Sequence, residues 1–336
     1  MPTANHRLKT LRLINGMNQG DFANILGIKQ PLLSMIERGD RELTTNHIVT
    51  ARMYFRLPAD YFDKPEITYQ PNQLNFRRKK LTKNQATMAA HTFGLIEQHY
   101  ADQPNPLQEF PCTPTPTRRS TKDIEAIAAD TRAQLGIKPD TPIRNVTRCM
   151  DRLGIIVTAL ANPLLPADKI DGISTPAQTG HALVTTLNYS TPGDRFRFSA
   201  AHELGHVLLH TNDEVKSLED KEAEADDFAA AFLMPAGPMR DLLTADLTLN
   251  GYAAVKSKWG TSIQALVRRA RDLGVIDDDR YRSLFIQLSG RGWRTREPVE
   301  VQLESMIHQP PELWIAHAGR RDGPGLASVT QLPRRE

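Results

Sequence analysis

The decapeptide AHELGHVLLH, from Ala201 to His210, limits the possible folds more than any other stretch of the chain. Apolar residues recur in and around it at helical spacing: Phe198, Ala201, Leu204, Val207 and Leu208. This pattern predicts a buried helix. Because an unpaired glutamate or histidine is costly to bury, the helix must pack in a core that supplies partners for its ionisable side chains.

The two inner histidines of the decapeptide lie on one side of the predicted helix. Residues four apart differ by about 40° around a helix axis, so His202 and His206 can bind one ion. Glu203 is about 100° from His202, near enough to hold a water without being a ligand. This is the HExxH pattern of zincins, with two imidazoles on the metal and a carboxylate as general base. The alternative is an amphipathic helix that happens to carry histidines.

A third metal ligand is predicted in the acidic run that follows. Glu222 comes 16 residues after His206 and shares a helix face with Asp226. We therefore expect Glu222 to bind the metal and Asp226 to accept the ring N–H of a ligating histidine. The alternative is a solvated helix start favoured by the helix dipole. Glu224 and His210 turn away from the metal-facing sides of their helices, so both are predicted at the surface.

This part of the chain resembles the ImmA/IrrE family of metallopeptidases. The matching pieces are RFRF before HELGH, then LLH, and EAEADDFA running to LMP. The resemblance extends from about Asp123 to Asp272. It implies a gluzincin-like, zinc-dependent endopeptidase that cuts a cytoplasmic helix-turn-helix repressor and so derepresses stress-response or mobile-element genes. Its ligands also suit Mn²⁺ or Fe²⁺.

The first 62 residues are predicted to form short helices separated by turns. Leu8, Leu11 and Ile14 recur every third residue and form one buried side. Asn18 can cap the next helix, and Gly27 ends it. The helix that follows tolerates a proline in its first turn. Two short helices joined at a glycine-containing turn indicate a helix-turn-helix.

The run LKTLRLINGMNQGDFANILGIKQPLLSMIERGDREL resembles the Cro/C1-type (XRE) repressor module. The resemblance implies that Gln19 contacts a DNA phosphate, and that four further residues face the major groove: Lys29, Gln30, Leu32 and Ser34. The alternative is a helix-turn-helix used for protein contact. The expected partners are thus a protein substrate, double-stranded DNA through residues 1–64, and a second copy of the chain in a homodimer.

A proline-rich stretch divides the rest of the chain. Residues 102–120 contain five prolines and cannot continue a helix, which predicts a linker. We expect a helix-turn-helix domain over 1–64, a helical segment and linker over 65–120, a metallopeptidase domain over 121–298 and a tail over 299–336. Short strands are predicted near 155–157, 171–174 and 182–187. The predicted fold class is mainly α with a small sheet: an all-α helix-turn-helix domain followed by an α+β zincin-like domain.

Composition argues against a membrane protein, a secreted protein and a metal site built from cysteines. No stretch approaches the roughly 18 apolar residues of a membrane helix, and the first residues lack the apolar core of a signal peptide, so we expect a cytoplasmic protein without a membrane partner. The two cysteines, Cys112 and Cys149, have no CxxC spacing, so a metal must be held by histidine and carboxylate. The net charge of +3 does not mark the whole chain as a nucleic-acid binder.

Three functional hypotheses follow. The first is a regulatory zinc endopeptidase whose helix-turn-helix domain binds DNA or another protein. The second is a non-catalytic XRE-type regulator or antitoxin-like repressor whose peptidase-like domain is a sensor. The third combines DNA binding with catalysis: the helix-turn-helix domain brings the peptidase to a promoter-bound substrate. Glu203 favours catalysis, since a pure sensor needs no base beside its metal.

Overall fold

A computed structural model describes residues 3–78, 81–101, 119–166, 169–174, 184–210 and 217–315. The chain divides into two compact units. The first comprises Met1–Asp63 with Trp314–Glu336, and the second comprises Lys64–Leu313. Most of the proposed linker and the last residues of the chain lie outside the described ranges. Within those ranges, no helix is both long and apolar enough to cross a bilayer.

The first unit is helical. Its helices are α1 (Thr3–Ile14), α2 (Gln19–Leu26), α3 (Gln30–Arg38) and α4 (Thr45–Phe55). The side chain of Asn18 accepts a 2.9 Å hydrogen bond from the backbone N–H of Asp21, which caps α2. Gly27 ends α2 with a φ of 68°, a left-handed conformation that favours glycine. The predicted cap and stop are therefore confirmed. The apolar sides of these helices are buried together: Leu8, Leu11, Ile14, Phe22, Leu33 and Ile36.

The second unit combines further helices with one small sheet. Its helices are α5 (Lys83–Ala101), α6 (Thr121–Gln134), α7 (Val146–Arg152), α8 (Gly193–Leu209), α9 (Leu218–Leu233), α10 (Ala236–Leu242), α11 (Leu249–Trp259), α12 (Ile263–Asp272) and α13 (Asp278–Gly290). Its strands are β1 (Asn75–Arg78), β2 (Ile156–Ala159), β3 (Ile170–Ser174) and β4 (Val184–Leu187). Helices around a small sheet confirm the predicted α+β class.

The four strands lie in the order β1-β3-β4-β2. The pairs β1–β3 and β3–β4 are antiparallel, and β2–β4 is parallel. In the β3–β4 pair, Ser174 is opposite Thr185 and Gly172 is opposite Leu187. The three predicted strands are present within the described residues, although positions 182 and 183 lie outside them. The fourth strand, β1, was not predicted.

The sheet separates two cores. On one side α5 packs against the sheet through Met88, Phe93 and Ile96. On the other side the core containing α8 includes Val157 and Leu187. Because successive side chains of a strand alternate between faces, Gly172 and Ser174 lie on one face of β3 and Ile173 lies on the other. Residues 65–120 were expected to form a helical segment and linker separate from the metallopeptidase domain. In the structure, β1 and α5 belong to the same unit as that domain, because they cover one edge and one face of its sheet.

Part of the stretch that the sequence analysis treated as a tail is packed into the second unit. Glu304 is 6% exposed. Its carboxylate accepts hydrogen bonds from Arg197 Nε at 3.1 Å and from the backbone N–H of Thr147 at 2.9 Å. A Cβ on Gly193, the first residue of α8, would collide with the carbonyl oxygen of Val301. Residues Val301–Glu304, which we call the closing segment, therefore lie against the start of α8.

Candidate metal centre

Two packed helices build the site. α8 carries the HExxH residues, and α9 begins at Leu218 after Ser217, whose hydroxyl caps it through the N–H of Asp220. The helices approach closely at Gly205, where a Cβ would lie 3.1 Å from the Cα of Ala225. Such a contact is tighter than most side chains tolerate, so a residue without a side chain suits this position. The close approach lets side chains from both helices reach one point.

Three side chains converge there: His202, His206 and Glu222. The Nε2 atoms of the two histidines are 3.0 Å apart. The carboxylate oxygens of Glu222 lie 3.5 Å from His202 Nε2 and 3.2 Å from His206 Nε2. Ligands about 2.0–2.1 Å from a tetrahedral metal are separated by about 3.3 Å. The measured separations are close to this value, so the donor set fits a single small divalent ion.

Asp226 lies behind the first of these histidines. Its Oδ1 is 2.8 Å from His202 Nδ1. A carboxylate accepts hydrogen bonds, so this contact places a proton on Nδ1 and leaves Nε2 with a lone pair facing Glu222. Asp226 was predicted to accept this ring N–H, and its role beside a bound metal stays a prediction.

The protonation states of the converging groups suit metal binding. Burial lowers the pKa of His206 to about 4, although the nearby Glu222 carboxylate favours the protonated ring and opposes the shift. Burial disfavours the charged form of Glu222, but its close contacts with the His202 and His206 rings outweigh that effect and lower its pKa to about 2. Near neutral pH the site therefore offers a neutral imidazole at His206 and a carboxylate at Glu222, the forms that bind metals.

Glu203 lies next to this cluster without belonging to it. It is fully buried, and its Oε2 accepts a 2.6 Å hydrogen bond from the hydroxyl of Ser174 on β3. Gly172 passes so close that a Cβ there would lie 2.6 Å from Glu203 Oε1. Ser174 and Gly172 were missed in the sequence, since only the pairing of β3 within the sheet turns both toward α8.

Two predictions about neighbouring residues are wrong. His210 was expected at the surface but is 5% exposed, and its Nδ1 lies 2.9 Å from His206 Nδ1. Glu224 was expected to face solvent, but its side chain is 13% exposed and lies 3.2 Å from His210 Nε2. It also forms a 2.8 Å ion pair with Arg119. Helical angles alone could not foresee this, because Arg119 comes from outside both helices.

Comparison with protein families agrees with this geometry. Residues 151–271 match the peptidase M78 family, described as the IrrE N-terminal-like domain. Residues 8–62 match the helix-turn-helix family. No curated protein matches the chain. The stretch that matches the peptidase M78 family contains the converging histidines and Glu222. The chain therefore joins a helix-turn-helix domain to a domain similar to metallopeptidases.

The predicted DNA-contacting residues lie in the first unit around α2 and α3. Gln30 donates a 2.8 Å hydrogen bond to Gln19, and Gln19 donates one of 2.8 Å to Glu37. Glu37 in turn receives two hydrogen bonds from Arg12. The structure therefore connects the first side chains of α2 and α3. Of the other predicted contacts, Lys29 is exposed, and Leu32 and Ser34 are half-buried.

Proposed function

We propose that the chain is a regulatory zinc-dependent endopeptidase that cleaves a helix-turn-helix repressor and thereby derepresses stress-response or mobile-element genes. The observation that supports this most is the convergence of two imidazole nitrogens and one carboxylate beside a separate, fully buried Glu203. A structural metal site needs no such extra carboxylate, whereas hydrolysis needs a base.

In this proposal His202, His206 and Glu222 hold the zinc ion. When bound there, zinc supplies Lewis acidity toward a peptide carbonyl and lowers the pKa of water. Glu203 takes the proton of the attacking water and later delivers it to the leaving amine, so that one water and one peptide bond give a carboxylic acid and an amine. Ser174 keeps the Glu203 carboxylate in one orientation through its hydrogen bond.

The metal site is tested by calorimetric titration of Zn²⁺ into metal-stripped protein, with His206→Ala in parallel. We expect one tight site in the wild type and its loss in the variant, because tetrahedral zinc needs all three protein ligands. Absence of a tight site in the wild type would refute the proposal and leave the helix-turn-helix domain as the functional part. Mn²⁺ and Fe²⁺ titrations compare the other ions that suit these ligands.

Cleavage is tested by incubating zinc-loaded protein with purified helix-turn-helix repressors and measuring products by mass spectrometry. A single defined cut that disappears when zinc is chelated supports the proposal. A zinc-binding protein that cuts none of them while its operator binding responds to zinc would favour the alternative, a non-catalytic XRE-type regulator with a metal-sensing domain.

We further propose that the first unit binds double-stranded DNA and brings the peptidase to promoter-bound substrate. The exposed Lys29 and Gln30 support this, since cationic and amide side chains at the start of a recognition helix contact phosphates and base edges. A gel shift at low salt is the test, because phosphate contacts are strongest there. No shift at low salt would instead favour a helix-turn-helix that binds protein.

A further inference from the structure

The ligand His206 has an unusual partner behind it. Metal-binding histidines commonly donate their second ring N–H to a carboxylate, a backbone carbonyl or water, as His202 does toward Asp226. The Nδ1 of His206 faces another imidazole instead, with His210 Nδ1 at 2.9 Å. Two ring nitrogens at this distance need one proton between them. The remaining contacts of His210 decide which nitrogen carries it.

His210 in turn contacts Glu224, and Glu224 contacts Arg119. His210 Nε2 is 3.2 Å from a carboxylate oxygen of Glu224, and the same oxygen forms a 2.8 Å ion pair with Arg119. Arg119 also donates a 2.6 Å hydrogen bond to the carbonyl of Leu209, at the end of α8. Its side chain is only 2% exposed. Arg119 thus ties the Glu224 side chain to the helix that carries both histidines.

The positions of the protons can be assigned one after another, starting at Glu224 and ending at His206. The Glu224 carboxylate only accepts, so His210 carries its proton on Nε2. In the tautomer with its proton on Nε2, His210 accepts at Nδ1 from His206. His206 therefore carries its proton on Nδ1, and its Nε2 keeps a lone pair facing Glu222. Each contact selects the tautomer of the next imidazole.

We propose that His210, held by Glu224 and Arg119, is a positioning residue that fixes His206 in its metal-binding tautomer and orientation. This inference rests on the proposed metal site. It adds to that site three residues that neither bind metal nor touch substrate.

The test compares two replacements of His210 in the full-length, metal-stripped protein by competitive titration with Zn²⁺. The Oδ1 of asparagine is bonded to Cγ, as Nδ1 of histidine is, so His210→Asn retains an acceptor for His206. His210→Leu removes it while filling more of the volume. We expect His210→Leu to weaken zinc binding about 10- to 100-fold, and His210→Asn to stay close to the wild type. A role in packing alone gives the opposite order, because leucine leaves the smaller cavity.

Glu224→Gln provides a second variant. If Glu224 acts through His210, Glu224→Gln weakens zinc binding in the wild-type background but adds little to His210→Leu. His308→Asn is the matched control. The Nε2 of His308 lies 2.8 Å from a carboxylate oxygen of Asp151, and neither residue belongs to the proposed metal site, so we expect no change in zinc binding. Unfolding of each metal-free variant by urea shows whether it is folded.

The outcomes separate this inference from the proposed function. Tight zinc binding in the wild type with equal binding by His210→Leu overturns the positioning role and leaves the metal site intact. Equal losses in His210→Asn and His210→Leu also overturn it. No zinc binding by the wild type overturns both proposals.

Discussion

The hydroxyl of Ser174 donates a 2.6 Å hydrogen bond to Oε2 of Glu203, joining strand β3 to helix α8. Hydrogen bonds to charged groups contribute about 1.5–3 kcal/mol. If Glu203 is the general base, Ser174→Ala should therefore lower kcat by about 10- to 100-fold, since about 1.4 kcal/mol corresponds to a factor of ten. Zinc affinity, measured by calorimetry on the same preparation, should not change.

Thr185→Val is a matched control for that variant. Thr185 lies opposite Ser174 in the sheet and is buried, but its hydroxyl has no hydrogen-bond partner within the described residues. Replacing it with a methyl group of similar size should leave kcat unchanged. A loss as large as that of Ser174→Ala would show that general polarity under the site, and not the bond to Glu203, matters.

Replacing the proposed base should separate binding from catalysis. Glu203→Gln keeps the size of the side chain but cannot take a proton. We expect zinc affinity close to that of the wild type and a loss of repressor cleavage by about 10²- to 10⁴-fold, the usual contribution of general acid–base catalysis. Cleavage at the wild-type rate, measured by product formation over time, would rule out the mechanism.

The close passage of Gly172 beside Glu203 makes a second prediction about the base. A Cβ at position 172 would lie 2.6 Å from Oε1 and 2.7 Å from Cγ of Glu203. Gly172→Ala should thus displace the carboxylate and reduce cleavage at least tenfold, an effect on the order of 1.4 kcal/mol, while zinc still binds. Gly237→Ala is the control, because a Cβ there meets nothing within 4 Å. Equal activities of the two variants would contradict the prediction.

The metal-free protein should lose stability as pH falls. An unperturbed histidine titrates near pH 6.5, whereas burial lowers the pKa of His206 to about 4. Between these values the unfolded chain binds a proton that the folded protein excludes, so the free energy of unfolding decreases from pH 6.5 to pH 4. The full effect is roughly 3 kcal/mol. Glu222, with its pKa lowered to about 2, adds a dependence of the same sign below pH 4.5.

Urea unfolding of metal-stripped protein between pH 4 and pH 7 measures this dependence. His206→Gln removes the titrating group, so its unfolding free energy should vary less with pH. Identical slopes for the variant and the wild type would show that His206 does not contribute.

The ion pair that supports the helix-turn-helix should be important for its stability. Arg12 binds both carboxylate oxygens of Glu37, and the Glu37 side chain is 3% exposed. Removing one partner of a buried pair costs about 3–5 kcal/mol, so Glu37→Gln should shift the unfolding of the first unit to clearly lower temperature in circular dichroism. Asp40→Asn breaks the exposed pair with Arg38 and should change stability little. Similar shifts in both would contradict the prediction.

Local patterns in the sequence indicated most residues of the candidate metal centre. Helical spacing brought His202 and His206 together, and the face shared by Glu222 and Asp226 indicated a third ligand with its supporting carboxylate. Each of these inferences depends on one helix at a time, and the structure brings His202, His206 and Glu222 together. The burial of His210 could not be obtained in this way, since it depends on Glu224 from another helix and Arg119 from before α6.

The sheet shows the same limit. Strands with β-branched residues were recognisable, but β1 is four residues long and gives no sign of its antiparallel partner. The contact between Ser174 and Glu203 needs the register of β3 as well as the position of α8. Relationships between elements that are distant in sequence are set by packing, which a reading of local periodicity does not contain.

The closing segment has a consequence for dissecting this protein. A fragment trimmed to residues 151–271, the stretch that matches the family, would lack Glu304. Arg197 would then keep a buried guanidinium without its carboxylate, and α5 would no longer cover the other face of the sheet. The stretch that matches the family is therefore shorter than the compact unit that contains it, and a fragment meant to fold alone must extend beyond that stretch at both ends.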